Sequence, residues 1–391
     1  MKGKSHAWLK ENNSKTILNV IFKQKQISRK DLAAETGLTP SAVSRLTSAL
    51  IEDQLICETG VDKNSKRLGG PVPRLLSIND SFPFVLAVHI GVKSIGCALF
   101  TLSAKVLDFE EYEVPEHLTL DELIKMLDKG LSQILVRMRV EKNDILAIGV
   151  DISGYVNQSN GIVYSDRIKC INGIALERVF SEYFQMPVYV DNIVHSMALA
   201  ELLFGEYNEE LENFAFIYLG GICGLAFGLD GRIFNGSHGF AGYLLECSGL
   251  SENEVFLLST ESLRHYIKYR FESAANRQEA IKGIANLENI KNEDVIAAAM
   301  AGNAICQEVL EKRGEKIGDM AAYLTNILDI DRVILTSPLT ILPDEEKRMQ
   351  AAFRQKKIGM DREAKIIVKE SGRASFITGA AALAIHKVLL T

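Results

Sequence analysis

Paired cysteines are missing from this chain. Its 391 residues hold six cysteines (Cys57, Cys97, Cys170, Cys223, Cys247 and Cys306), far apart and never as C-x-x-C. That spacing argues against a disulfide framework and a cysteine-based zinc site, and a reducing cytoplasm is the expected home. Long apolar runs are missing too: no stretch of about eighteen uncharged apolar residues occurs, so no segment is expected to span a membrane. The opening MKGKSHAWLKENNSK lacks an apolar core of the length a secretion signal needs. No clean strand–G-x-G-x-x-G–helix fingerprint occurs, which argues against a dinucleotide fold. What is present, 47% hydrophobic and 24% charged residues, is ordinary for a soluble globular protein with room for two or three domains.

Charge is unevenly distributed. Residues 1–80 hold 13 Lys+Arg against 8 Asp+Glu, whereas the remainder holds 31 against 42. A basic head on an acidic body suits a protein that presents only its head to a polyanion.

Within the head, Ile17, Leu18, Ile21 and Phe22 recur at helical spacing. A second helix opens at Ser28, with Asp31 three residues on as in a capping box, and stops at Gly37. Thr39 caps a third helix with Pro40 at its first position. Val43, Leu46 and Leu50 form its buried stripe, which leaves Ser41, Ser44, Arg45 and Ser48 outside. A Gly-containing turn between two capped helices predicts a helix-turn-helix. Its second helix would lie in the major groove, with Arg45 on guanine and Thr39 and the serines near phosphates or bases. Arg29 and Lys30 are expected on backbone phosphate. The period then changes to two: Leu55–Glu58 and Arg74–Ile78 read as the strands of a wing whose tip carries Lys63, Lys66 and Arg67.

Beyond Phe84 three strands in hairpins precede alternating helices and strands, and the pattern then recurs from Phe214. Such a duplication predicts an α/β body of two lobes around a cleft.

The stretches SRKDLAAETGLTPSAVSRLTSALIEDQLI, DNIVHSMALAELLFGE (Asp191–Glu206) and NGSHGFAG (Asn235–Gly242) resemble the ROK family of repressors, open reading frames and kinases, in its xylose-repressor-like branch. The likeness covers nearly the whole chain. It implies an amino-terminal winged helix-turn-helix followed by a two-lobed actin/hexokinase-like (ribonuclease H-like) body. Family kinases phosphorylate sugars with magnesium and ATP. Family repressors are relieved from DNA by a sugar or sugar phosphate.

Position by position, the kinase chemistry implied by the resemblance is absent. The first phosphate loop, D-x-G-G-T in the kinases, is His89-Ile90-Gly91-Val92-Lys93 here. The second, G-T-G-x-G-x-G, is Gly220-Gly221-Ile222-Cys223-Gly224-Leu225-Ala226. The general base of N-D-x-N has become Ile193 in Asn192-Ile193-Val194-His195, and isoleucine accepts no proton. His195, two positions on, reads as a buried, hydrogen-bonded histidine. The structural zinc motif is lost as well, since Gly242–Glu246 lacks its histidine and Ser248–Tyr266 lacks its cysteines. The sugar loop P-G is Ser153-Gly154, P-N-L is Arg167-Ile168-Lys169, Asn192 survives, and Tyr243 replaces a glutamate.

The expected molecule is a DNA-binding regulator without enzymatic activity, without cofactor and without metal. Its expected organisation is a winged helix-turn-helix over 1–80, a first lobe over 81–205 with 375–391, and a second lobe over 206–374. Operator DNA is the expected partner, bound by a homodimer or higher homo-oligomer, with a repressor's role in carbohydrate-related genes. A sugar-derived effector, other than plain glucose or xylose, would sit in the cleft near Ser153, Gly154, Asn192, Tyr243 and Glu246. A divergent sugar kinase, or a scaffold whose body docks another protein, are the alternatives.

Overall fold

The computed structural model describes residues 6–61, 73–208, 211–221, 223–242, 258–275, 284, 286–359, 363–370 and 372–391. The expected site residues Lys66, Arg67, Tyr243 and Glu246 lie outside the described residues. The chain divides into two compact units, residues 1–210 with 374–391 and residues 211–373.

The first unit opens with helix α1 (His6–Gln24), which buries Ile17, Leu18, Ile21 and Phe22. A two-residue strand β1 (Ile27–Ser28) leads into α2 (Arg29–Thr36). Ser28 Oγ accepts from the Asp31 amide at 3.2 Å and donates to the Asp31 carboxylate at 2.6 Å, so the start of α2 is satisfied locally. Gly37 ends the helix at φ +67°, a conformation that a residue with a Cβ adopts only under strain. Helix α3 (Pro40–Glu52) is capped by Thr39, whose hydroxyl accepts from the Ala42 amide at 3.3 Å. The strands β2 (Ile56–Val61) and β3 (Arg74–Ile78) complete a sheet of order β1-β3-β2.

Next, β4 (Phe84–Ile90), β5 (Ser94–Thr101) and β6 (Val106–Glu113) form an antiparallel meander covered by α4 (Leu120–Met138). Strand β7 (Ile145–Ile152) joins β4 in parallel, and a small hairpin of β8 (Tyr155–Val156) and β9 (Val163–Tyr164) follows. After α5 (Leu176–Phe184), strand β10 (Val188–Asn192) adds in parallel to β7 and passes into α6 (Ile193–Phe204). The sheet order is β10-β7-β4-β5-β6.

The second unit repeats this plan. Strands β11 (Phe214–Leu219), β12 (Cys223–Leu229) and β13 (Arg232–Ile233) form the meander. Helices α7 (Thr260–Glu272), α8 (Asn292–Met300) and α9 (Ala304–Leu328) intervene before β14 (Arg332–Ser337). Helix α10 (Pro343–Lys356) and strand β15 (Lys365–Glu370) close the sheet, in the order β13-β12-β11-β14-β15 with β11, β14 and β15 parallel. Inside it, Arg313 and Glu345, both fully buried, pair at 2.7 Å between α9 and α10. The duplicated pattern of the sequence is therefore a duplicated topology.

Helix α11 (Arg373–Ile385) returns to the first unit. A Cβ at Gly149 would stand 1.8 Å from the Ala380 carbonyl oxygen, so β7 and α11 approach only through a glycine. A five-residue π turn, His386–Leu390, follows. One core runs from the head into the lobe: Ile17, Leu18 and Ile21 of α1 and Val43, Leu46 and Leu50 of α3 cluster with Val85, Ala380, Leu389 and Leu390. The Phe22 and Phe204 rings meet edge to face at 5.9 Å. No helix among the described residues is long and apolar enough to cross a membrane.

Candidate nucleic-acid interface

The candidate recognition surface is the outer side of α3. Val43, Leu46, Thr47 and Leu50 are buried, while Ser41, Ser44, Arg45 and Ser48 are exposed, as the spacing requires. Thr39 and Ser41 hydroxyls lie 3.2 Å apart at the helix start. Lys30, exposed at the start of α2, remains open to solvent.

Arg29 departs from the expectation of a free phosphate contact. Its Nε donates to Thr47 Oγ1 at 3.0 Å, and its Nη1 donates to Glu58 at 2.9 Å. Arg74 Nη1 donates to the other oxygen of Glu58 at 2.6 Å. Arg29 therefore ties the start of α2 to the buried side of α3 and to the wing. The physical reason is local: a carboxylate on the wing strand competes for its guanidinium. The Arg29 bond, then the Arg74 bond, holds the Glu58 carboxyl below the usual carboxylate range.

Thr47, Glu58 and Arg74 were not picked out by the sequence patterns. One signal was available, because Thr47 falls four residues after Val43, inside the buried stripe. A hydroxyl there needs a partner, which Arg29 supplies along with the Val43 carbonyl at 2.9 Å.

In the first lobe, His89, Ile193 and His195, which the resemblance sets against the kinase motifs, are buried. His89, where the kinases carry a magnesium-associated aspartate, is buried with Nδ1 2.5 Å from Asp151 Oδ1 on the neighbouring strand. Its ring stacks on Phe376, with centroids 5.2 Å apart. Burial is the largest influence on Asp151 and raises its pKa, opposed by His89. Ile193, at the base position, is buried. His195 is buried, with Nδ1 3.4 Å from Asp191 Oδ1.

Ser153, Gly154 and Asn192 do come together, but through one another. Asn192 Nδ2 donates to the Gly154 carbonyl, while its Oδ1 accepts from the Val194 amide at 2.7 Å and caps α6. Ser165 Oγ donates to the Ser153 carbonyl at 2.8 Å. Among the described residues no group of three or more His, Cys, Asp or Glu side chains is arranged to hold a metal ion.

Two family models match separate stretches of the chain. The ROK family model matches residues 85–244 and 257–387, and a winged helix-turn-helix DNA-binding model matches residues 11–56. The chain is 27% identical to the xylose repressor of Caldicellulosiruptor bescii, over 85% of this chain and 84% of the relative. It is 26% identical to the DNA-binding transcriptional dual regulator NagC of Escherichia coli, over 85% of this chain and 82% of that one. The crystal structure of a ROK family transcriptional regulator, a homolog of the Escherichia coli MLC protein, superposes with a TM-score of 0.77 at 22% identity, covering 98% of both chains. A ROK family glucokinase from Streptomyces griseus, in complex with glucose and AMPPNP, gives a TM-score of 0.61 at 20% identity, covering 77% of this chain and 98% of that one. With a winged helix-turn-helix ahead of a matching body, the chain belongs to the ROK family.

Proposed function

We propose that the chain is a sequence-specific transcription repressor of carbohydrate-related genes, with a kinase-like body that binds an effector and does not transfer phosphate. The observation that carries this reading is the exposed row of Ser41, Ser44, Arg45 and Ser48 on a capped helix whose opposite side is buried. Arg45 reads a guanine edge, and Thr39, Ser41, Ser44 and Ser48 fix the helix in the major groove. Lys30 contacts phosphate, as do Lys66 and Arg67 from the wing, while Arg29 orients the wing through Glu58.

One such head buries little surface, so useful affinity requires a homodimer or larger homo-oligomer on two half-sites. The relatives named as a xylose repressor and as an N-acetylglucosamine repressor support a sugar-derived effector. Ser153, Gly154, Asn192, Tyr243 and Glu246 are the body residues proposed to respond to it. The body does not catalyse: Ile193 stands where a base is needed, and His89 is committed to Asp151. Operator selection from a random library, followed by binding of the selected site with and without metabolites, tests the reading. Failure to enrich any sequence over random DNA would overturn it.

A further inference from the structure

A cavity of about 470 Å³ opens in the first unit, and its lining includes none of His89, Ser153, Gly154, Asn192 or Ile193. Its volume lies in the range of small-ligand sites. Helix α5 contributes Glu177, Arg178 and Ser181, strand β10 contributes Tyr189, the loop after β8 contributes Gln158, and the C-terminal π turn contributes Lys387. Ser181 Oγ accepts from the Val188 amide at 3.2 Å, and Glu177 Oε2 accepts from the Val190 amide at 3.4 Å, so this wall is held by the backbone of β10. Lys387 and Arg178 set two cations against the one carboxylate of the lining. Lys387 is exposed and lies within electrostatic reach of Glu177, the carboxylate of the same lining. Arg178 reaches Glu182 only at 4.0 Å on the surface, a pair of little strength.

The π turn that carries Lys387 has a second side. Leu389 and Leu390 of the same turn are buried in the core that holds Ile17, Leu18 and Ile21 of α1 and Val43, Leu46 and Leu50 of α3. Lys15 Nζ of α1 also donates to the Thr391 carbonyl at 2.6 Å. π turns inside or at the ends of helices recur at functional positions. Here one five-residue turn places Lys387 in the cavity lining and packs Leu389 and Leu390 in the core of α1 and α3.

We propose that this cavity binds a small hydroxylated anion, headed by phosphate or carboxylate, and that occupancy changes DNA affinity through the His386–Leu390 turn. Lys387 and Arg178 hold the anionic head. Glu177, Ser181 and Gln158 take hydroxyl groups, and Tyr189 offers an apolar ring surface. A ligand drawn to Lys387 fixes the turn against α5 and β10, and so biases the position of α1. The signalling half rests on the DNA-binding reading above; the binding half does not.

The test uses the full chain and three probes on one five-carbon skeleton: ribose 5-phosphate, ribonate and ribose. Calorimetry is expected to detect an anion but not ribose, with the stronger of the two anions identifying the head group. Lys387→Gln is expected to weaken anion binding by about tenfold to hundredfold, with Lys387→Arg retaining it. Because Lys387 is exposed, unchanged thermal melting of the variant checks that it folds. Ribose binding as well as the anions, no binding of any probe, or indifference to Lys387→Gln would overturn the site. Anion binding that leaves operator affinity of the wild-type chain unchanged would overturn the link to DNA. Absence of any operator would instead overturn the DNA-binding reading, with anion binding still measured on its own.

Discussion

His89 Nδ1 lies 2.5 Å from Asp151 Oδ1, across two registered positions of the parallel strands β4 and β7. In the kinases a carboxylate stands at the first of these positions; here a carboxylate stands at the second and a histidine fills the first. Both side chains are buried, and the Asp151 Oδ2 atom has no hydrogen-bond partner among the described residues. His89, at the position that the resemblance sets against the first phosphate loop, is thus held in an internal pair.

That pair has a pH signature. Burial raises the Asp151 pKa, so the folded state holds its proton more tightly than the unfolded state. The favourable contribution is complete below the unfolded carboxylate pKa and is lost as pH rises through the folded value. Asp151→Asn keeps the shape and an acceptor for His89 while removing this ionisation. Denaturant midpoints measured from about pH 4 upward should therefore fall with pH more in wild type than in the variant. Parallel curves would show that Asp151 does not titrate abnormally.

Glu58 gives the opposite sign. Its pKa is depressed by Arg29 and Arg74, so its stabilisation is present above the ordinary carboxylate pKa and lost as pH falls through the folded value. The pairs are partly exposed, and Glu58→Gln should cost about 0.2–1 kcal/mol in stability. Its larger effect should be on DNA, because Arg29 and the wing lose their common anchor. Operator affinity is expected to fall in the variant, with a steeper salt dependence as Arg29 turns to phosphate. An unchanged salt slope would remove Arg29 from that role.

Arg45 should behave differently from the cations around it. Arg45→Ala should lose about 1–3 kcal/mol of discrimination at one base position. Lys30→Ala should weaken operator and random DNA alike and flatten the salt dependence. Titrations on both DNAs at two salt concentrations separate the two. Equal loss on operator and random DNA for Arg45→Ala would reassign it to the backbone.

These contrasts show where sequence was sufficient. Caps and spacing specified α2 and α3 because Ser28, Gly37, Thr39 and Pro40 act within one turn of their own position. The two sheets were legible because the same order of strands and helices occurs twice along the chain. The partners of Arg29 and His89 were not, since Glu58 and Asp151 lie 29 and 62 residues away. Strand β1, only two residues long, has no periodicity of its own and exists by pairing Ile27 with Leu76 and Ser28 with Leu75.

Phosphate transfer offers a further check on the body. The purified chain should move no phosphate from ATP to a hexose or an amino sugar, since loss of a general base alone costs about 10²–10⁴ in rate. Ile193→Asp should not restore it, because His89 still occupies the first phosphate position and is paired with Asp151. A coupled assay for ADP release reads this directly. Turnover within a few orders of magnitude of a working kinase, abolished by a substitution at Asn192, would restore the enzymatic reading.

The common core of head and lobe leads to the last expectation. Phe204, at the end of α6, meets Phe22 of α1 edge to face at 5.9 Å, with the ring planes at 69°. Leu389 is buried among α1 residues in the same core. Leu389→Ala removes buried apolar volume at this junction and should cost about 2–5 kcal/mol. Phe204→Ala removes the aromatic contact from a half-buried position and should cost less, because aromatic pairs add only about 0.5–1.5 kcal/mol beyond burial. If head and lobe act as one folded unit, either variant should lower the melting temperature of a single transition. Operator affinity should fall along with it, since α3 shares that core. Two separate transitions, with the head melting alone and the lobe unmoved, would mean that the junction does not couple them. Differential scanning calorimetry of the full-length variants decides between these outcomes.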